Sequence, residues 1–134
     1  MTLPDTSAWV EYLRRTESAV DLRLDWLVQA GGPIAVTDPV EMEVLAGSRS
    51  EARRRDERAL LRSFTWLPFR TGDFAASTDV YRQCRAGGVT PRGLLDCMIA
   101  AVAMREDVAI LTADRDLARI AEVLALRPDP ASVR

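Results

Sequence analysis

Histidine is missing from this chain, and so is lysine: all 18 basic residues are arginine. Without histidine, Ser-His-Asp and Cys-His hydrolysis, histidine general-base cleavage of RNA and the ordinary histidine-bearing zinc sites are excluded. Without lysine, Schiff-base chemistry and the P-loop go too, as do receiver domains and haloacid-dehalogenase-type phosphatases, which match the chain in size and acidity but need that residue. An arginine-only, alanine-rich composition equally suits a GC-rich coding sequence. Cysteine is scarce: Cys84 and Cys97 lie far apart and fit neither a disulfide framework nor a CxxC pattern, so both are expected to be buried thiols. No stretch approaches the run of about eighteen apolar residues that a membrane span needs, and no charged segment leads into an apolar one at the start. The expectation is a cytoplasmic protein with no membrane contact.

What remains for chemistry is carboxylates, hydroxyls and guanidinium groups. With 134 residues, 48% of them apolar, the chain suits one compact domain spanning 1–134. A net charge of −2 exerts no global pull on nucleic acid, so a polyanion must be met by local arginines or bound cations.

Apolar runs alternate with amphipathic stretches. The pattern predicts helices over 7–14, 19–28, 38–46, 51–64, 71–86, 94–104 and 114–123. Gly31-Gly32 stops the second, Thr37 or Asp38 caps the third with Pro39 in its first turn, and Gly87-Gly88 closes the fifth. Strands are expected at the N-terminus, over 33–36, more weakly over 66–69, and over 108–111, with 128–134 a frayed tail or a short terminal strand. Strands separated by helices imply a parallel sheet covered on both faces.

Placed on that sketch, the acids gather. Asp5 falls at the carboxyl end of the first strand, Asp114 and Asp116 just beyond the last, Glu43 on the helix after 33–36, and Asp96 near the start of the apolar helix LLDCMIAA. Ligands of an open parallel sheet bind beyond the carboxyl ends of its strands, where strand order reverses. Singly, each acid has a plainer explanation. Asp114 and Asp5 make good helix caps, Asp116 is a good first-turn acid, and Asp96 in its apolar run, if purely structural, is expected either to pair with an arginine such as Arg92 or Arg105 or to be a helix N-terminal carboxylate stabilised by the dipole. Glu43 poses the same question in the run from Val40 to Leu45, whereas Glu41 is expected to be solvated. Together, four or five converging carboxylates repel unless a cation sits between them. Oxygen-only ligands favour magnesium or manganese, and such ions activate water for in-line attack on a phosphodiester without any histidine.

The blocks DTSAW, PVEMEVLAG, LLDCMIAA and TADRDL, in this order and spacing, resemble those of the PIN-domain ribonucleases, and within that family the VapC toxins of bacterial VapBC toxin-antitoxin pairs. The resemblance covers nearly the whole chain. It implies a three-layer α/β/α fold with a central parallel sheet of four to five short strands, and an endoribonuclease dependent on Mg2+, with Mn2+ as substitute. It further implies that Asp5, Glu43, Asp96 and Asp114 form the metal-holding quartet, with Asp116 an additional acid and Thr6 and Thr112 supporting hydroxyls. A homodimer and a cognate VapB-type antitoxin covering the active site are implied as well. One departure stands out: the first strand reads Met1-Thr2-Leu3-Pro4, and Pro4 lacks a ladder donor.

Arg49, Arg53, Arg54, Arg55, Arg58 and Arg62 share one predicted helix region. They form either a solvated face, with Glu51 and Arg55 one turn apart, or a track for RNA or antitoxin in which Arg54 and Arg58 are the candidates. Trp9, Tyr12 and Trp26 suit an interface, with core packing the alternative for Trp9. The rival reading from another class is a catalytically silent PIN-like module that binds RNA or protein, and a PIN-like DNA nuclease would need helical insertions for which this chain has no room.

Overall fold

The computed structural model describes residues 1–134. Its elements run β1 (Thr2–Pro4), α1 (Thr6–Arg14), α2 (Ala19–Gln29), β2 (Ala35–Val36), α3 (Asp38–Ala46), α4 (Glu51–Arg62), β3 (Thr65–Trp66), α5 (Thr71–Ala86), α6 (Leu94–Glu106), β4 (Ala109–Leu111) and α7 (Arg115–Val123). β1 pairs in parallel with β4, Leu3 opposite Ile110, and β2 pairs in parallel with β3. A single parallel bridge, Thr2 to Ile34, joins the two pairs, and another from Ile110 to Pro128 adds a fifth position at the far edge. The spatial order is thus β3, β2, β1, β4 and then the chain at Pro128.

That order places the helices. The path from β1 to β2 to β3 moves one way, and the path from β3 to β4 moves back. With right-handed crossovers, α1 to α4 cover one face and α5 to α7 the other. α1 lies against α2 and α3, and α6 against α5 and α7, while α3 and α6 also touch across the two sets. The reversal point falls between β1 and β4. Beneath it the core is continuous and includes Leu3, Ile34, Val36, Ile110, Leu111, Leu117 and Ile120, each at most 2% exposed. Full burial of one such side chain contributes about 1.5–3 kcal/mol.

Local chemistry sets the boundaries. Asp5, Ser18, Ser50 and Asp114 each accept a backbone N–H in the first turn of the helix that follows. Past α2 the chain turns through Gly31 and Gly32 at φ +80 and +108; a Cβ on Gly32 would meet the Ile34 nitrogen at 2.9 Å, so the stop needs glycine there. The strand expected over 66–69 shrinks to Thr65–Trp66 because the chain leaves the ladder after Leu67, with Pro68 unable to donate and the Phe69 N–H donating to Asp38 Oδ2 at 2.7 Å. The helix expected to reach Phe64 ends at Arg62, capped by Ser63. The tail takes the form of a terminal strand position, with the Asp129 N–H donating to the Ile110 carbonyl at 2.7 Å.

Pro4 finds a place in β1. Thr2 N–H donates to the Pro33 carbonyl, on the β2 side. Donors alternate along a strand, so the missing donor of Pro4 also faces β2, where pairing is one bridge only. The β4 side stays intact, with Asp5 N–H donating to the Leu111 carbonyl at 3.0 Å.

Candidate active site

Asp5 is the best-held acid. It ends β1, begins α1 and is 2% exposed. Its Oδ1 accepts from Ser7 Oγ at 2.7 Å and from the Ala8 N–H at 2.9 Å; its Oδ2 accepts from Thr112 Oγ1 at 2.7 Å. Burial pushes its carboxyl up to about 6, even though those three hydrogen bonds pull it down. Thr112 spans the strand ends: its hydroxyl also accepts from the Asp114 N–H at 2.9 Å, and Ser7 Oγ accepts from the Ala113 N–H at 2.9 Å. The hydroxyls of DTS and the residues after β4 therefore form one lattice around Asp5.

The other acids approach from three helices. Glu43, half-buried on α3, accepts from Thr6 Oγ1 at 2.6 Å. Asp114 caps α7 and accepts from the Asp116 N–H at 2.8 Å; Asp116, in the first turn, is buried. Asp96 sits half-buried in the first turn of α6. Desolvation first, and then Asp114, Asp5, Glu43 and Asp116 in turn, push its carboxyl up to about 7. The five acids thus lie on the elements at the reversal of strand order, near enough for the other four to raise the Asp96 carboxyl. No three of these carboxylates draw together into a finished cage. Their oxygen-only chemistry nonetheless fits a hard divalent cation that keeps some of its own water, and Asp96, favoured by the first turn of α6 but without a hydrogen-bonding or ionic partner, is the group such an ion would satisfy.

Several expectations change. Neither Arg92 nor Arg105 pairs with Asp96: Arg105 is committed to Asp73, with Nε and Nη2 at 3.0 and 2.9 Å, and Arg92 turns to Asp114 at 2.8 Å. Glu41 is not solvated but buried, held by both arms of Arg62 at 2.6 and 2.8 Å, because α3 presents it to α4. Glu51 pairs with Arg54 at 2.8 Å rather than with Arg55. Arg54 and Arg58 line a groove of about 520 Å³ floored by Met42, Leu45, Phe69 and Met98, whereas Arg49 and Arg53, with Arg14, share a second groove of about 690 Å³ with Glu43. Trp9 is core, 0% exposed and packed on Tyr12 and Phe64, while Trp26 is 61% exposed. Both cysteines are buried. The sequence offers Arg92 to Asp96 rather than to Asp114, and Ser132 is a partner that sequence reasoning missed. Nothing in the residues near Ser132 signals that its hydroxyl accepts the Thr112 N–H at 3.1 Å.

No helix is long and apolar enough to cross a membrane. Residues 2–123 match the family described as PIN domain. Ribonuclease VapC11 of Mycobacterium tuberculosis is 37% identical over 130 residues, covering 95% of this chain and 96% of its own. Among solved structures, a toxin-antitoxin complex from Klebsiella pneumoniae superposes with a TM-score of 0.68 at 18% identity, over 100% of this chain and 97% of the other. VapBC2 from Rickettsia felis, bound to a DNA fragment from its promoter, gives 0.69 at 17% identity, over 98% and 95%. Strand order, the acids at its reversal and a relative aligned almost end to end agree: the chain belongs to the PIN-domain family, among the VapC ribonucleases.

Proposed function

We propose that the protein is the endoribonuclease toxin of a VapBC-type pair and hydrolyses RNA phosphodiester bonds at the Asp5, Glu43, Asp96, Asp114 and Asp116 cluster with Mg2+, or Mn2+ in its place. The observation that carries this is Asp96, a half-buried carboxylate in the first turn of α6 with no hydrogen-bonding or ionic partner, on the side of the sheet where Asp5 and Asp114 end or follow their strands. A divalent ion supplies Lewis acidity and a water acidic enough to attack at neutral pH. The chain supplies the rest. Ser7, Thr112 and the Ala8 amide fix Asp5, and Thr6 fixes Glu43, so that their carboxylates need little reorganisation. Asp96 must shed its proton before it can serve as a ligand.

The partner is a VapB-type antitoxin, a reading supported by the VapC relatives and the toxin-antitoxin neighbours. A homodimer is supported by the large apolar side chains left exposed on α5 and α6, Phe74 and Leu94 at 60% and Met104 at 43%. Purified protein freed of antitoxin, incubated with total RNA and Mn2+, should give discrete fragments that vanish with EDTA and in Asp96→Asn. Intact RNA in every lane, from protein shown to be folded, would instead favour a silent RNA- or protein-binding module or a substrate absent from that RNA.

A further inference from the structure

Arg92 is the one cation that touches the acidic cluster. It lies on the loop before α6, its side chain 73% exposed, with Nη2 2.8 Å from Asp114 Oδ1 and Nε 3.8 Å from Asp116 Oδ2. Its backbone is tied separately, because the Arg92 N–H donates to Asp116 Oδ2 at 3.1 Å. The main chain at residue 92 is therefore anchored by a bond that does not involve the guanidinium, while the guanidinium is free to leave. Its partner Asp114 is among the carboxylates that a divalent ion at this site would require. Exposed ion pairs of this kind are weak and a divalent ion competes with them readily. A guanidinium released there stays within a side-chain length of the cluster, at its mouth, and its planar fork of donors suits a phosphate.

We propose that Arg92 is a displaceable internal counter-ion: it holds Asp114 until a divalent ion claims that carboxylate, then turns its guanidinium to a phosphate of the RNA. The inference rests on the metal-nuclease reading and adds to it a residue that couples metal uptake to substrate binding. Asp114 thereby exchanges one cation for another, and the site's positive charge reaches the substrate only when the ion is in place.

The test is a Mn2+ titration by calorimetry without RNA, on wild type, Arg92→Gln and Arg92→Lys. Removing a competing cation should tighten Mn2+ binding by roughly two- to fivefold in Arg92→Gln. Arg92→Lys, which keeps the charge, should remain near wild type. With a fluorescent single-stranded RNA that wild type cleaves, Arg92→Gln should raise KM by roughly three- to tenfold with a smaller change in kcat. It should also make log KM less steep against log salt by about 0.7, the signature of one lost phosphate contact. Mn2+ binding that is unchanged or weaker in a folded Arg92→Gln overturns the counter-ion role. A KM with the wild-type value and salt slope overturns the phosphate role. Wild-type protein that takes up no Mn2+ is a different result: it overturns the metal reading itself and this inference with it.

Discussion

A single carboxylate shows how burial decides chemistry here. Asp5 and Asp96 are pushed up to about 6 and about 7 from an ordinary 3.8, in both cases chiefly by desolvation. Between those limits the folded metal-free chain binds more protons than the unfolded chain, so its stability falls as pH rises through that window. The melting temperature of metal-free protein is therefore expected to drop by roughly 5–10 °C from about pH 5 to about pH 8, and the drop should shrink in Asp96→Asn. Differential scanning fluorimetry across pH checks this, and a flat profile in wild type would refute it. With the proposed metal site, Mn2+ should reverse the trend, since protons and metal would compete for the same oxygens. The sequence already flagged Asp96, because an acid in the run LLDCMIAA needs an explanation; what it left open was the partner. Both arginine candidates prove to be spoken for, and only the three-dimensional path of α5 and α6, which brings Asp73 to Arg105, settles that.

At the level of elements, boundaries were legible wherever side chains cap or break the backbone. Asp5, Ser18, Ser50 and Asp114 start helices, and Gly31-Gly32 stops one. The weak strand after α4 was overestimated because an apolar run such as Trp-Leu-Pro-Phe reads as sheet, although Pro68 and the Asp38 carboxylate take the chain out of the ladder. Glu41 was misjudged for a related reason: helical spacing cannot tell that α4 would supply Arg62. Pro4 carries the prediction at this scale. Its donor side faces β2, where no continuous ladder exists, so Pro4→Val should alter the unfolding free energy by no more than about 0.5–1 kcal/mol. Urea denaturation measures it, and a gain well above that range would show that the β1–β2 pairing wants to extend and that proline prevents it.

Across the whole molecule, the site is assembled from both ends of the chain. Ser132 accepts the Thr112 N–H and donates to the Ile110 carbonyl, each at 3.1 Å, and the Val133 N–H donates to the Thr112 carbonyl at 2.9 Å. Asp129 is pinned to Arg23 of α2 at 3.1 Å. Ser132→Ala leaves the buried Thr112 donor without its acceptor, which should cost about 1–3 kcal/mol by denaturation and slow RNA cleavage several-fold, although residue 132 is not among the acids. Wild-type stability and rate in that variant would show the tail to be dispensable. No local pattern announces this dependence, because the contact spans 20 residues and runs through backbone groups. It also has a consequence in time. The strand that leads into Asp5 is made long before its partner β4 and the segment that braces Thr112. Asp5 therefore cannot take its hydrogen bond from Thr112, nor Thr112 its brace from Ser132, until chain made more than a hundred residues later has folded back onto β1.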